Sequence, residues 1–125
     1  MKLTKNFSKE EFDCNDGSEM PESVLENVKK LAKELQVLRD NIGQPIKINS
    51  GYRSEAYNKK IGGVAKSQHV LGKAADIRIK GFQPSEVYEA IESLISLGLM
   101  KEGGLGLYNN FVHYDIRGVK ARWRG

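Results

Sequence analysis

The chain has two histidines in 125 residues, and each sits among side chains able to hold a metal or move a proton. His69 lies in Ser67-Gln68-His69-Val70-Leu71-Gly72-Lys73-Ala74-Ala75-Asp76, and His113 in Phe111-Val112-His113-Tyr114-Asp115. Two imidazoles and one aspartate make three protein ligands, and three ligands with an open fourth position are what a hydrolytic zinc site uses. With His69, Asp76 and His113 on the metal, a bound water of pKa about 7 becomes a source of hydroxide. Asp115 is the local carboxylate to take that water's proton. Arg53, just past Gly51, is a candidate for stabilising the developing oxyanion or for gripping a substrate carboxylate with two hydrogen bonds.

Other chemistries fit less well. A lone histidine is more often a surface or satisfied core residue than a ligand, and His-x-Asp alone can be a hydrogen bond that orients the ring. The two motifs together favour a metal. Ser50, Ser54 and Ser67 offer hydroxyls, but the chain has no Gly-x-Ser-x-Gly elbow. Gly62-Gly63 and Gly103-Gly104-Leu105-Gly106 lack both the Gly-x-Gly-x-x-Gly spacing and the Gly-Lys-Ser/Thr ending of phosphate-binding loops. The single cysteine, Cys14, excludes an internal disulfide and a thiolate cluster, so a metal must be held by nitrogen and oxygen.

These residues need elements to position them. Ser8 and Glu11 resemble a capping box opening a short turn. After Pro21, Val24, Leu25, Val28, Leu31, Ala32, Leu35 and Leu38 recur at helical spacing, which predicts a long helix ending near Asn41 to Gly43. Ile46 to Gly51 reads as a short strand, Ser54 as the cap of a helix stopped by Gly62-Gly63, and Gly63 to Leu71 as a loop. Ala74 to Ile79 alternates as a strand carrying Asp76. A second amphipathic helix follows Gln83-Pro84. Gly103 to Tyr108 and Phe111 to Ile116 flank Asn109-Asn110 as two antiparallel strands, the second presenting His113 and Asp115 on one face. The expected fold is α+β, a single domain over residues 1–125 with an antiparallel sheet packed by helices.

Composition agrees with one soluble globular unit: 39% of residues are hydrophobic and 29% charged, unlike a disordered chain. The start, Met1 to Phe7, lacks the apolar run of an export signal, and no stretch approaches the roughly 20 apolar residues of a membrane span. Synthesis in the cytoplasm without a signal peptide is therefore expected. The net charge of +4 favours polyanions only weakly. Its one local cluster, Arg117 to Arg124 around the lone Trp123, reads first as a solvated basic tail with an anchored aromatic and second as an electrostatic patch for a polyanion such as nucleic acid.

At Ser50-Gly51-Tyr52-Arg53-Ser54, Ser67-x-His69-x-x-Gly72-x-Ala74-x-Asp76 and His113-x-Asp115, the chain resembles the zinc D-Ala-D-Ala carboxypeptidase and L,D-endopeptidase family of bacterial cell-wall enzymes, which includes phage endolysins. The resemblance implies the compact fold shared by D-Ala-D-Ala peptidases and the Hedgehog signalling domain, with one zinc ion. It carries His69, Asp76 and His113 over to the metal and Arg53 to substrate or transition-state binding. Ser67 and Tyr52 join Arg53 as candidate substrate-binding residues. Asp115 fits short members ending in His-x-Asp, either as base or as support for His113, and Asn110 occupies the position where several relatives place a base. The resemblance implies a peptidoglycan peptide as partner; no specific nucleic acid, no membrane insertion and a monomeric state are expected besides. The protein would act on the wall once released, as a phage-type or prophage-type product. A second reading keeps the zinc fold as a non-catalytic binding or structural module, for instance of a phage particle. Which wall bond is cut depends on pocket shape around Tyr52, Tyr57, Tyr108 and Tyr114.

Overall fold

A computed structural model describes residues 1–125. The apolar spacing after Pro21 gives helix α1, Glu22–Ile42, with Val28, Leu31, Ala32, Leu35 and Leu38 wholly buried. Gly43 ends it at φ 72°, its N–H on the Arg39 carbonyl, a conformation in which glycine carries no steric penalty. Strand β1, Ile46–Ser50, follows, and then helix α2, Glu55–Lys60, where the Ser54 hydroxyl accepts the Tyr57 N–H at 3.1 Å. After the His69 loop come β2, Ala74–Ile79, and α3, Pro84–Ser96. Strands β3, Gly104–Leu107, and β4, Val112–Asp115, form the expected hairpin, and β5, Ala121–Arg124, closes the chain. No helix is long and apolar enough to cross a membrane.

The strands form one sheet of order β1-β2-β4-β3-β5. Four of them pair antiparallel as expected, but β5 runs parallel to β3, so the sheet is mixed. The reason is topological. Both edges of β4 are already taken by β2 and β3, so β5 adds at the outer edge of β3, and a chain that reverses after β4 runs there in the β3 direction. The stretch read as a solvated tail is thus an edge strand. Its Arg122 is also spent internally, paired with Glu92 at 2.9 Å and Glu102 at 2.7 Å.

Alternation sorts the sheet into two faces. Ile46, Ile48, Ala75, Ile77, Ile79, Leu105, Val112 and Tyr114 join the buried core with the apolar stripes of α1 and α3. On the other face the register aligns one residue from each strand: Ser50 opposite Asp76, Asp76 opposite His113, His113 opposite Gly106, and Gly106 opposite Trp123. Ser50 reaches this row because the β1 register shifts between Ile48 and Ser50, the kind of irregularity that re-aims a side chain.

Candidate metal centre

The transverse row sets two of the three predicted ligands side by side, and a loop delivers the third. His69 is carried back over the sheet by tight turns, with Val70 N–H on the Ser67 carbonyl and Gly72 N–H on the His69 carbonyl. The loop is stitched to the β1–α2 turn by Arg53 N–H on the His69 carbonyl at 3.1 Å and to α1 by the Asn27 amide on the Leu71 carbonyl at 2.8 Å. Its ring meets that of His113 edge-on, with centroids 5.1 Å apart.

Asp76 Oδ1 lies 3.2 Å from His69 Nε2 and 3.1 Å from His113 Nδ1. One donor atom from each residue falls within 4.8 Å of the others. The outward ring nitrogens are also engaged: His69 Nδ1 donates to the Gly51 carbonyl at 2.8 Å, and His113 Nε2 to Asp115 Oδ2 at 2.7 Å. A ligating histidine characteristically donates its other N–H to a carbonyl or carboxylate, which fixes the tautomer and ring direction. Two imidazole nitrogens and a carboxylate oxygen, converging with both outer nitrogens satisfied, fit a zinc ion with an open fourth position. Cys14 is elsewhere, against Ser54.

The charges are tightly coupled. Burial pushes the Asp76 carboxyl up, but hydrogen bonds from His113 and His69 outweigh it and hold the group well below the usual carboxylate range. Burial pulls His113 down, and its bonds to Asp115 and Asp76 reverse the sign and raise it. Asp115 is wholly buried. Burial raises its carboxyl, while His113 and Arg117 together bring it below its ordinary value.

Arg53 is fixed on three sides, by Ser50 Oγ at 3.1 Å, Asn58 Oδ1 at 3.4 Å and Asp76 Oδ2 at 3.2 Å. A guanidinium has five N–H donors, so two remain for a substrate. Ser67 lines the same cleft, its hydroxyl accepting the His69 N–H at 3.2 Å. Tyr52 does not: it is a core residue, its N–H bonded to the Phe12 carbonyl. Tyr114 is also in the core, with its hydroxyl on the Lys101 carbonyl, so of the four tyrosines only Tyr108 faces the cleft. Asn110 is exposed and lines a different groove.

Of the two expected places for Asp115, the structure shows the one behind His113. Its oxygens take the Gly104 N–H at 2.9 Å, the Arg117 backbone N–H at 3.1 Å, Arg117 Nε and Nη2 at 2.9 and 2.7 Å, and His113. It lies behind the His113 ring and does not line the cleft, where Asp76 is the only carboxylate. Gly104 is required beside it, since a Cβ there would strike the Asp115 carboxylate. Arg117 and Trp123 are site residues that sequence reading left in the basic tail. Arg117 lies over the Trp123 ring at 5.4 Å, and Trp123 packs on His113 at 5.0 Å. Only the proximity of Arg117 to the His-x-Asp motif hinted at this.

The cleft holding these groups has a volume of about 590 Å³. A larger groove of about 790 Å³ lies between the far end of β2, the start of α3 and the Asn109-Asn110 turn. It contains neither histidine, so the chemistry assigns the smaller cavity as the site.

A family model described as peptidase M15 matches residues 5–115. The chain belongs to the peptidase M15 family. Among its curated relatives, a protein of Haemophilus influenzae named probable peptidoglycan L,D-endopeptidase MepK is 39% identical over 87 residues, 64% of this chain and 43% of that protein. Peptidoglycan L,D-endopeptidase MepK of Escherichia coli is 37% identical over the same length, 44% of its own chain. The zinc D-Ala-D-Ala carboxypeptidase of Streptomyces albus G is 42% identical over 45 residues, 35% of this chain and 18% of that one. The chain thus spans under half the length of the curated relatives it matches.

Proposed function

We propose that this chain is a zinc metallopeptidase that hydrolyses a peptide bond in peptidoglycan stem peptides. The observation that carries the reading is the convergence of His69 Nε2, Asp76 Oδ1 and His113 Nδ1 in a cleft, with both outward ring nitrogens already bonded. Membership of a peptidase family with wall-acting relatives supports the substrate class. Zinc at this donor set supplies a Lewis acid and a water of lowered pKa.

The protein's own groups have distinct tasks. Asp76 shares its carboxylate between the two histidines on one oxygen and Arg53 on the other, which keeps Arg53 beside the reacting centre. The free guanidinium donors of Arg53 bind a substrate carbonyl or carboxylate oxygen and stabilise charge developing there. Ser67 fixes the backbone that presents His69. Asp115 is too enclosed to exchange a proton with a cleft water. It acts through His113, holding Nε2 so that Nδ1 faces Asp76, and Arg117 fixes the carboxylate that does so.

One observation favours the alternative of a non-catalytic zinc module: the cleft offers no second carboxylate to serve as a base. Mass spectrometry of purified peptidoglycan treated with the zinc-loaded protein separates the two readings. Newly cut stem peptides are expected, and His69→Ala should abolish both their release and zinc binding. Tight zinc binding with no peptide or D-alanine released would establish the module reading instead. The same digest reports which bond is cut, and with it carboxypeptidase or endopeptidase action. Monomeric state and delivery as a phage-type product belong to the same proposal. Arg117 and Arg122, two cations of the basic cluster, are spent on internal ion pairs, which argues against a nucleic-acid surface there.

A further inference from the structure

Tyr108, just beyond β3, is half-buried in the wall of the cleft. Its ring stacks on Phe111, with centroids 4.4 Å apart and planes 10° from parallel. Its hydroxyl oxygen accepts the indole N–H of Trp123 at 2.9 Å. Trp123 is held in turn against His113, and Gly106 leaves the space it occupies, since a Cβ there would strike the indole. The phenol is therefore fixed in place from β4, the turn and β5 together.

The polarity of that hydrogen bond matters. An indole N–H can only donate, so Tyr108 must be the acceptor and its own proton is left over. No protein group takes that proton; the bond from Trp123 is the only one its hydroxyl makes. The cleft wall thus holds a neutral donor with its position set and its proton unspent, the property that binds an oxygen without reorganisation.

We propose that the Tyr108 hydroxyl donates to a backbone carbonyl oxygen of the bound wall peptide, with Trp123 fixing its direction. This rests on the peptidase reading and adds a substrate-binding residue to it. Tyr108→Phe removes one oxygen and keeps the ring stack. In the zinc-loaded protein it should lower kcat/KM for stem-peptide hydrolysis by about tenfold with the melting temperature unchanged. Trp123→Phe should cost less, about threefold, and the double variant should be no worse than Tyr108→Phe alone, because both changes act through one hydrogen bond.

A binding measurement keeps this distinct from the peptidase reading. Trp123 is the only tryptophan, so its emission follows titration of the metal-free protein with a synthetic stem tetrapeptide. Binding should weaken about tenfold in Tyr108→Phe. If the wild type cuts no wall peptide yet this binding difference appears, the peptidase reading fails and the Tyr108 role stands. If the wild type cuts and Tyr108→Phe matches it within twofold, or lowers only the melting temperature, the hydroxyl is a structural tie for β5 and the proposal is overturned. A wild type that neither cuts nor binds overturns both.

Discussion

His69 rides on a loop and is steadied by main-chain groups, whereas His113 rides on a central strand and is steadied by a buried ionic network. Behind His69 stand the Gly51 carbonyl, the Arg53 N–H on its own carbonyl, and the Asn27 amide one turn away. Behind His113 stand Asp115, Arg117 and Trp123. The loop-borne histidine depends on many weak contacts shared between α1 and the β1–α2 turn. The strand-borne histidine depends on one carboxylate with no access to water. Damage to the second should be abrupt, and damage to the first gradual.

The largest expected effect is therefore at Asp115. Asp115→Ala leaves the Arg117 guanidinium, the Gly104 N–H and His113 Nε2 without their acceptor. Breaking a buried ionic network from one side costs about 3 kcal/mol or more. Chemical denaturation should show that loss, and chelator competition a zinc affinity roughly 10- to 100-fold weaker. Asp115→Asn keeps the shape and one acceptor oxygen, so its effect on affinity should be smaller, near tenfold. If Asp115→Asn bound zinc normally but lost turnover by orders of magnitude, Asp115 would be moving a proton after all. The contrast between the two ligands would then be one of chemistry as well as support.

A smaller effect, of opposite sign in the metal-free and loaded protein, follows from His113. Its hydrogen bonds to Asp115 and Asp76 raise it above the ordinary imidazole value of about 6.5. Folded above unfolded means stabilisation fully present below about pH 6.5 and lost as pH climbs through the raised value. The metal-free protein should therefore melt at progressively lower temperature across that window. The loaded protein should not, because metal and proton compete for the same nitrogen and rising pH favours the metal. A loaded protein losing stability in parallel with the metal-free one would place the ion away from His113. Asp76 and Asp115 give the acid limb: both are held low, so their stabilisation is lost as pH falls through their depressed values.

The same contrast explains what could be read from the sequence. α1, α3 and the β3–β4 hairpin were legible because their apolar periods and turn residues act locally. The grouping of His69, Asp76 and His113 was legible because metal chemistry restricts residue type and this chain has two imidazoles to offer, and the fold brings the three side chains together. Asp115 kept two readings because a carboxylate two residues along a strand shares a face with His113 whether it meets water or not. Its burial comes from Gly104 and Arg117, which no local pattern ties to it. β5 was missed for a related reason: Arg122 and Arg124 look like a solvated run until Glu92 and Glu102 are seen to meet Arg122. Parallel pairing with β3 is a long-range event, and alternating charge in a four-residue strand carries no sign of it.

The smallest expected effect tests the loop side of the comparison. Asn27 reaches from α1 to the Leu71 carbonyl, on an exposed part of the molecule, and holds the turn that follows His69. Asn27→Ala removes one hydrogen bond of about 1 kcal/mol, and water can take the donor's place on the carbonyl. His69 keeps the Gly51 carbonyl and the Arg53 N–H, so zinc affinity should fall by no more than about threefold. Local opening should change more than binding. Amide exchange at Val70, Leu71 and Gly72 should quicken while exchange in β4 stays unchanged, since loop openings cost far less than global unfolding. If Asn27→Ala instead weakened zinc as much as Asp115→Asn does, the loop ligand would hang on a single contact, and the two histidines would be equally fragile by different means.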